Sequence, residues 1–187
     1  IASDETERWY TGAVQARHLT RLEFRNALRD LLGVTLAEDR LPPADGAGGE
    51  GFDTSAGTLF TSVSHFEAWL QSVSFAVDEA LAETAAADAA LQLPRAEPDT
   101  AKITELLSDF AQLAWRRALQ PTELDQIRAF VSDEHTAGQP AKEVLRLGLN
   151  WVLLSPKFLL VSEQPPVEAG DYRLNSWELA TRLALFL

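Results

Sequence analysis

One local pattern does most to decide what this chain can fold into. An apolar residue, a capping residue, a glutamate three positions after the cap and a second apolar residue occur together three times. They read Leu19-Thr20-Arg21-Leu22-Glu23-Phe24, Leu119-Gln120-Pro121-Thr122-Glu123-Leu124 and Leu174-Asn175-Ser176-Trp177-Glu178-Leu179. At a helix start the capping side chain takes a free amide, the glutamate reaches back to the cap's own amide, and the two apolar residues staple the entry. The unequal separations, 100 and 55 residues, make this a repeated way of starting a helix rather than a structural repeat.

Helical periodicity follows these starts. Phe24, Leu28, Leu31 and Leu32 form one stripe, stopped by Gly33. A second helix is expected from about Ser62 or Ser64 to about Thr84, with Val63, Phe66, Leu70, Val73, Val77, Ala80 and Leu81 inward. Asp99 or Thr100 opens a third, with Ile103, Leu106, Leu107, Phe110 and Leu113 inward. Pro121 stands in a favoured first-turn position for a fourth, built on Leu124, Ile127, Phe130 and Val131 and ending before Gly138. The helix begun at Pro140 is apolar nearly all round in its second half, which predicts a central helix with Leu147, Trp151 and Leu154 buried. Residues 157–162 read as a last turn or a short strand.

No period-2 alternation of useful length appears. The predicted fold class is all-α, an irregular multi-helix bundle of about six helices with a Gly/Pro-rich loop after the first main helix. The expected organisation is an N-terminal module over 1–84, a linker over 85–99 carrying Pro94 and Pro98, a second module over 100–164, and the start of a further module over 165–187.

Charge and composition bound the function. Sixteen Lys and Arg against 28 Asp and Glu give a net charge of −12, which repels phosphate backbones and anionic lipid. No nucleic-acid partner is expected. Nor is a transmembrane segment, because no apolar run approaches the ~20 residues a span needs. Without cysteine the chain has no thiol nucleophile, no zinc–thiolate site and no C-x-x-C-H haem attachment. Ile1 in place of Met, and a last helix with no stop signal, suggest a processed chain or a fragment. Leu183, Phe186 and Leu187 are therefore expected to pack against another protein chain or a C-terminal continuation.

Several patterns invite a chemical reading and carry a plainer one. Gly46-Ala47-Gly48-Gly49-Glu50-Gly51 matches G-x-G-x-x-G, but prolines precede it and Asp45, Glu50 and Asp53 place negative charge where a phosphate would sit, so it reads as a loop. The same three acids lack EF-hand spacing for calcium. Arg17, Arg21, Arg25 and Arg29 recur every fourth residue, a ladder that can dock an anion but in so acidic a chain is expected to pair internally. Arg116 and Arg117 suit a cation–π contact or a helix C-terminus. His18, His65 and His135 fall on three separate predicted elements. His18 and His135 read as surface residues, and His65, in a helix first turn, is the one haem-ligand candidate. The five tryptophans read as core or interhelix wedges. No residue is singled out as catalytic, and no cofactor- or metal-binding residue is expected within the chain.

Three stretches in order carry a resemblance. The first runs from His18 through Gly33, followed by Leu41-Pro42-Pro43 and Gly51-Phe52-Asp53. Next come Trp115-Arg116-Arg117-Ala118-Leu119 with Thr122-Glu123-Leu124, then Leu153-Leu154-Ser155-Pro156-Lys157-Phe158-Leu159. The last comprises Tyr172-Arg173-Leu174, Glu178-Leu179-Ala180-Thr181-Arg182-Leu183 and Phe186-Leu187. The order resembles the planctomycete-type, cytochrome-c-associated modular proteins, whose consecutive helical domains are of unknown function. The resemblance implies a periplasmic or extracellular protein with a c-type haem in another segment or a partner, and it supplies no catalytic residues. It favours a helical scaffold or interaction portion of such a protein, serving electron transfer. The alternative is part of an oxidoreductase or hydrolase whose active site is completed beyond Leu187.

Overall fold

A computed structural model describes residues 16–43, 63–82, 98–161 and 174–186. Within them lie strand β1 (Arg17–His18), helices α1 (Arg21–Leu32), α2 (Val63–Ala80), α3 (Thr100–Ala114), α4 (Pro121–Thr136), α5 (Ala141–Leu153) and α6 (Pro156–Leu159), strand β2 (Leu160–Val161) and helix α7 (Ser176–Phe186). A 3-10 turn, Glu38–Arg40, follows α1. The chain is all-α apart from a two-stranded antiparallel ladder pairing Arg17 with Val161 and His18 with Leu160. Strands of two residues are too short to show an alternation.

The helix starts behave as their sequences predict. At α1 the Thr20 hydroxyl accepts from the Glu23 amide at 3.3 Å while the Glu23 carboxylate accepts from the Thr20 amide at 2.8 Å. Gly33 ends this helix at φ 71°, a left-handed cap open to glycine at little cost. At α4 Glu123 accepts from the Gln120 amide at 2.9 Å. At α7 the Asn175 side-chain oxygen takes the amides of Trp177 and Glu178, both at 2.9 Å.

Helix α5 lies at the centre, packed on α2, α3 and α4. Its inward residues are Val144, Leu145, Gly148, Leu149, Val152 and Leu153. A Cβ on Gly148 would stand 2.8 Å from Leu107 Cδ2, so glycine lets α3 and α5 approach closely. The expectation that Leu147, Trp151 and Leu154 are buried is corrected. Leu147 and Leu154 are half-buried, and Trp151 is 37% exposed. The helix does have a polar side, formed by Lys142, Glu143, Arg146 and Asn150. Trp151 lies beside that side, stacked on Phe130 at 5.6 Å and 24° and edge-on to Trp115 at 6.5 Å.

Two other stripes rotate in the same way. In α2 Phe66 and Leu70 are exposed, while Trp69, Val73, Ala76, Val77 and Ala80 face the core. In α3 Leu113 points outward because Ile103, Leu107, Phe110, Ala111 and Ala114 define the buried side. Small residues on the core side let neighbouring helices come close, and a larger residue beside them is left at the rim. Residues from Leu19 to Leu81 and from Ile103 to Leu159 enter one hydrophobic core.

Candidate functional site

Arginine and glutamate build the most organised polar features among the described residues. Arg17 donates to Glu23 through Nη1–Oε2 at 2.6 Å and Nη2–Oε1 at 2.7 Å. Arg117 repeats the arrangement on Glu123, with Nη1–Oε2 at 2.9 Å and Nη2–Oε1 at 2.6 Å. Paired N–H donors facing two carboxylate oxygens are the strong form of this contact. Lys157 Nζ adds a third charged donor to Glu123 at 2.6 Å and lies 4.5 Å from the Trp115 ring centroid.

These contacts set the protonation of both acids. The Arg117 hydrogen bonds, with Lys157 and the Gln120 amide, outweigh burial and hold Glu123 at a pKa of about 2. Burial pushes Glu23 up, but the Arg17 and Thr20 hydrogen bonds together carry it below its usual value. Arg117 is raised by the same bond to Glu123. Each acid is thereby committed to a cap and ionised at neutral pH, which suits a structural tie rather than proton transfer.

The rest of the arginine ladder pairs internally, as expected. Arg21 and Arg25 both reach Glu38, at 3.1 and 2.7 Å, and Arg29 reaches Asp30 at 2.9 Å. Arg116 and Arg117 fulfil both of their suggested roles. Arg117 lies 5.8 Å from the Trp115 ring centroid. Arg116 lies 5.8 Å from that of Phe158 and donates to backbone carbonyls at the end of α6.

The histidines are redistributed. His18 is 2% exposed rather than at the surface, because β1 is drawn against β2 and its ring turns inward. Its Nδ1 donates to the Leu19 carbonyl at 2.8 Å. His18 and His65 converge, with ring centroids 5.8 Å apart, and Trp69 packs on both. His135 is exposed and lines a shallow groove of about 280 Å³ with Thr100, Thr104, Arg128, Ser132 and Thr136. No group of three or more metal-binding side chains occurs among the described residues. The glycine-rich motif and Asp45, Glu50 and Asp53 lie outside them.

The expected interaction residues fall on α7. Leu183 is 54% exposed, as are Leu179 at 51% and Trp177 at 43%, while Leu185 packs against the core. The Phe186 side chain and Leu187 lie outside the described residues. Among the described residues, helix α7 therefore presents apolar side chains both toward the core, at Leu185, and away from it, at Trp177, Leu179 and Leu183. Among the described residues no helix is long and apolar enough to cross a membrane.

Comparison with protein families places two adjacent domains on this frame. Residues 17–82 match the family described as PSD3, a protein of unknown function (DUF1587), and residues 102–163 match PSD5, a protein of unknown function (DUF1595). The chain thus carries two consecutive domains of unknown function. Neither a curated protein nor a solved structure matches it.

Sequence reasoning missed the Arg17–Glu23 and Arg117–Glu123 pairs, although the spacing was visible. Each arginine stands six residues before a capping glutamate. The Lys157 contact and the His18–His65 pairing join distant segments and left no local signal.

Proposed function

We infer that this chain is a helical scaffold and interaction portion of an extracytoplasmic, haem-c-associated multidomain protein, where it holds neighbouring parts in place for electron transfer. The observation that carries the reading is the outward apolar set on α7, with Trp177, Leu179 and Leu183 each more than two-fifths exposed. Burying side chains of this kind is worth roughly 1.5–3 kcal/mol each, enough to hold a neighbouring domain or chain. The order of the three sequence stretches, which resembles the cytochrome-c-associated modular proteins, supports it, and the two consecutive domains of unknown function lie along that order.

The residues present do not fit a covalently attached haem. The chain has no cysteine to form a thioether, and His18 and His65 are packed against each other and Trp69. In this reading the haem belongs to another segment or a partner, and the chain supplies a rigid acidic support.

The test uses the purified natural polypeptide. A Soret band is expected in its absorption spectrum, and Leu179→Asp with Leu183→Asp should release the neighbouring part from α7, read as faster limited proteolysis around α7, while far-UV circular dichroism stays unchanged. A natural protein with no Soret band, or a double variant cleaved no faster than the wild type, would count against the reading.

A further inference from the structure

We propose that the surface made by α6, β2 and the end of α3 is the docking surface for the preceding domain, so that residues 17–82 and 102–163 are two halves of one folding unit joined along the β1–β2 ladder that Arg116 braces. The families are matched separately, and nothing in those matches joins them.

Two kinds of contact cross between the segments, and Arg116 braces the strand that carries the first. The first is backbone. Strand β1 pairs with β2, and the Leu19 amide continues the ladder by donating to the Leu159 carbonyl at 2.9 Å. Two strands of two residues are not stable alone, so this ladder depends on both segments being packed around it. The second is apolar. Phe24 of α1 and Phe158 of α6 are both fully buried, with ring centroids 6.2 Å apart. Separating the segments would return both rings to water. On another side of the bundle, α2 meets α5 through Ser74 and Asn150 at 3.2 Å and through Asp78 and Arg146 at 3.8 Å.

The brace is Arg116, at the end of α3 in the second segment. Its φ is 56°, the left-handed region that a β-carbon disfavours, so the surrounding structure must hold it there. That backbone turn follows the end of α3, and the guanidinium reaches the carbonyls of Phe158 at 2.8 Å and Leu160 at 3.1 Å. Arg116 thereby braces the strand on which β1 docks. Burial lowers its pKa to about 10, so it remains charged at neutral pH, with Glu23 and Arg17 of the first segment acting on that charge in opposite directions.

Native-state hydrogen exchange on the full chain tests this directly. Core amides of α1 and α2 and those of α3 and α5 should open with one common free energy and one common denaturant dependence. Arg116→Gly relieves the backbone strain while removing the guanidinium. It should lower protection in both segments by the same factor, on the order of tenfold, the size of a lost charged hydrogen bond. The proposal is overturned if residues 102–163 keep their protection under conditions where residues 17–82 exchange freely, or if the Arg116→Gly loss stays within 102–163. Should that variant not fold, the wild-type comparison decides the matter alone.

Discussion

Arg117 grips Glu123 through two hydrogen bonds at 2.9 and 2.6 Å, and the glutamate in turn caps the helix that begins beside it. The cap and the ion pair are one device, repeated at Arg17 and Glu23, where the two bonds measure 2.6 and 2.7 Å. Each couples the entry of a helix to the segment before it, so loss of the carboxylate removes the cap and leaves an arginine without its partner.

This device makes stability depend on pH with a definite sign. Glu123 has a folded pKa of about 2 against 4.5 for the free side chain, so its contribution is complete above pH 4.5 and is lost as pH falls towards 2. The shift corresponds to about 3 kcal/mol. Glu123→Gln should therefore be less stable than the wild type by up to that amount at pH 7, with the gap closing near pH 2. Urea denaturation across this range measures it. Glu23, also lowered, should contribute with the same sign, its share lost as pH falls below the usual glutamate range.

Much of the fold is legible in the sequence because its cues are local. Thr20, Glu23, Phe24 and Gly33 lie within one short stretch and specify both ends of α1. The small sheet is not legible, because two residues carry no period and the partner strands are far apart in the chain. The exposure of Trp151 was hidden for another reason: helical spacing names the apolar residues but does not say which of them face the neighbour. Gly148 does, by marking the side where α3 comes closest. Of the candidate surface, Leu183 was legible as an apolar residue without a cover. The convergence of His18 with His65 and Trp69 required tertiary structure.

The orientation of α5 predicts unequal costs along one helix. Leu149→Ala should destabilise by about 2–5 kcal/mol, since this side chain is 1% exposed. Trp151→Ala should cost less, about 1–2 kcal/mol, because it loses a surface stack on Phe130 rather than opening a core cavity. Chemical denaturation of the two variants provides the comparison, and equal losses would contradict the orientation.

Gly148→Ala tests the close approach of α3 and α5. Alanine is the better helix former by about 1 kcal/mol. The new methyl group would nevertheless crowd Leu107, which is fully buried and has little room to move. A net loss of about 1–3 kcal/mol is expected from overpacking. A rise in melting temperature would show that the two helices can separate freely.

Caps supply a more modest check. Thr20→Ala and Asn175→Ala should each destabilise their helices by about 1 kcal/mol through lost amide acceptors. Restoring Ser at either position should recover most of the loss in thermal unfolding.

The central structural claim is that segments matched by two separate families share one core. Scanning calorimetry of the full chain tests it most directly, through the ratio of van't Hoff to calorimetric enthalpy. One transition with a ratio near one is expected, and Leu28→Ala in α1 should move that whole transition to lower temperature without splitting it. Two resolved transitions, with only the first displaced by Leu28→Ala, would contradict the shared core.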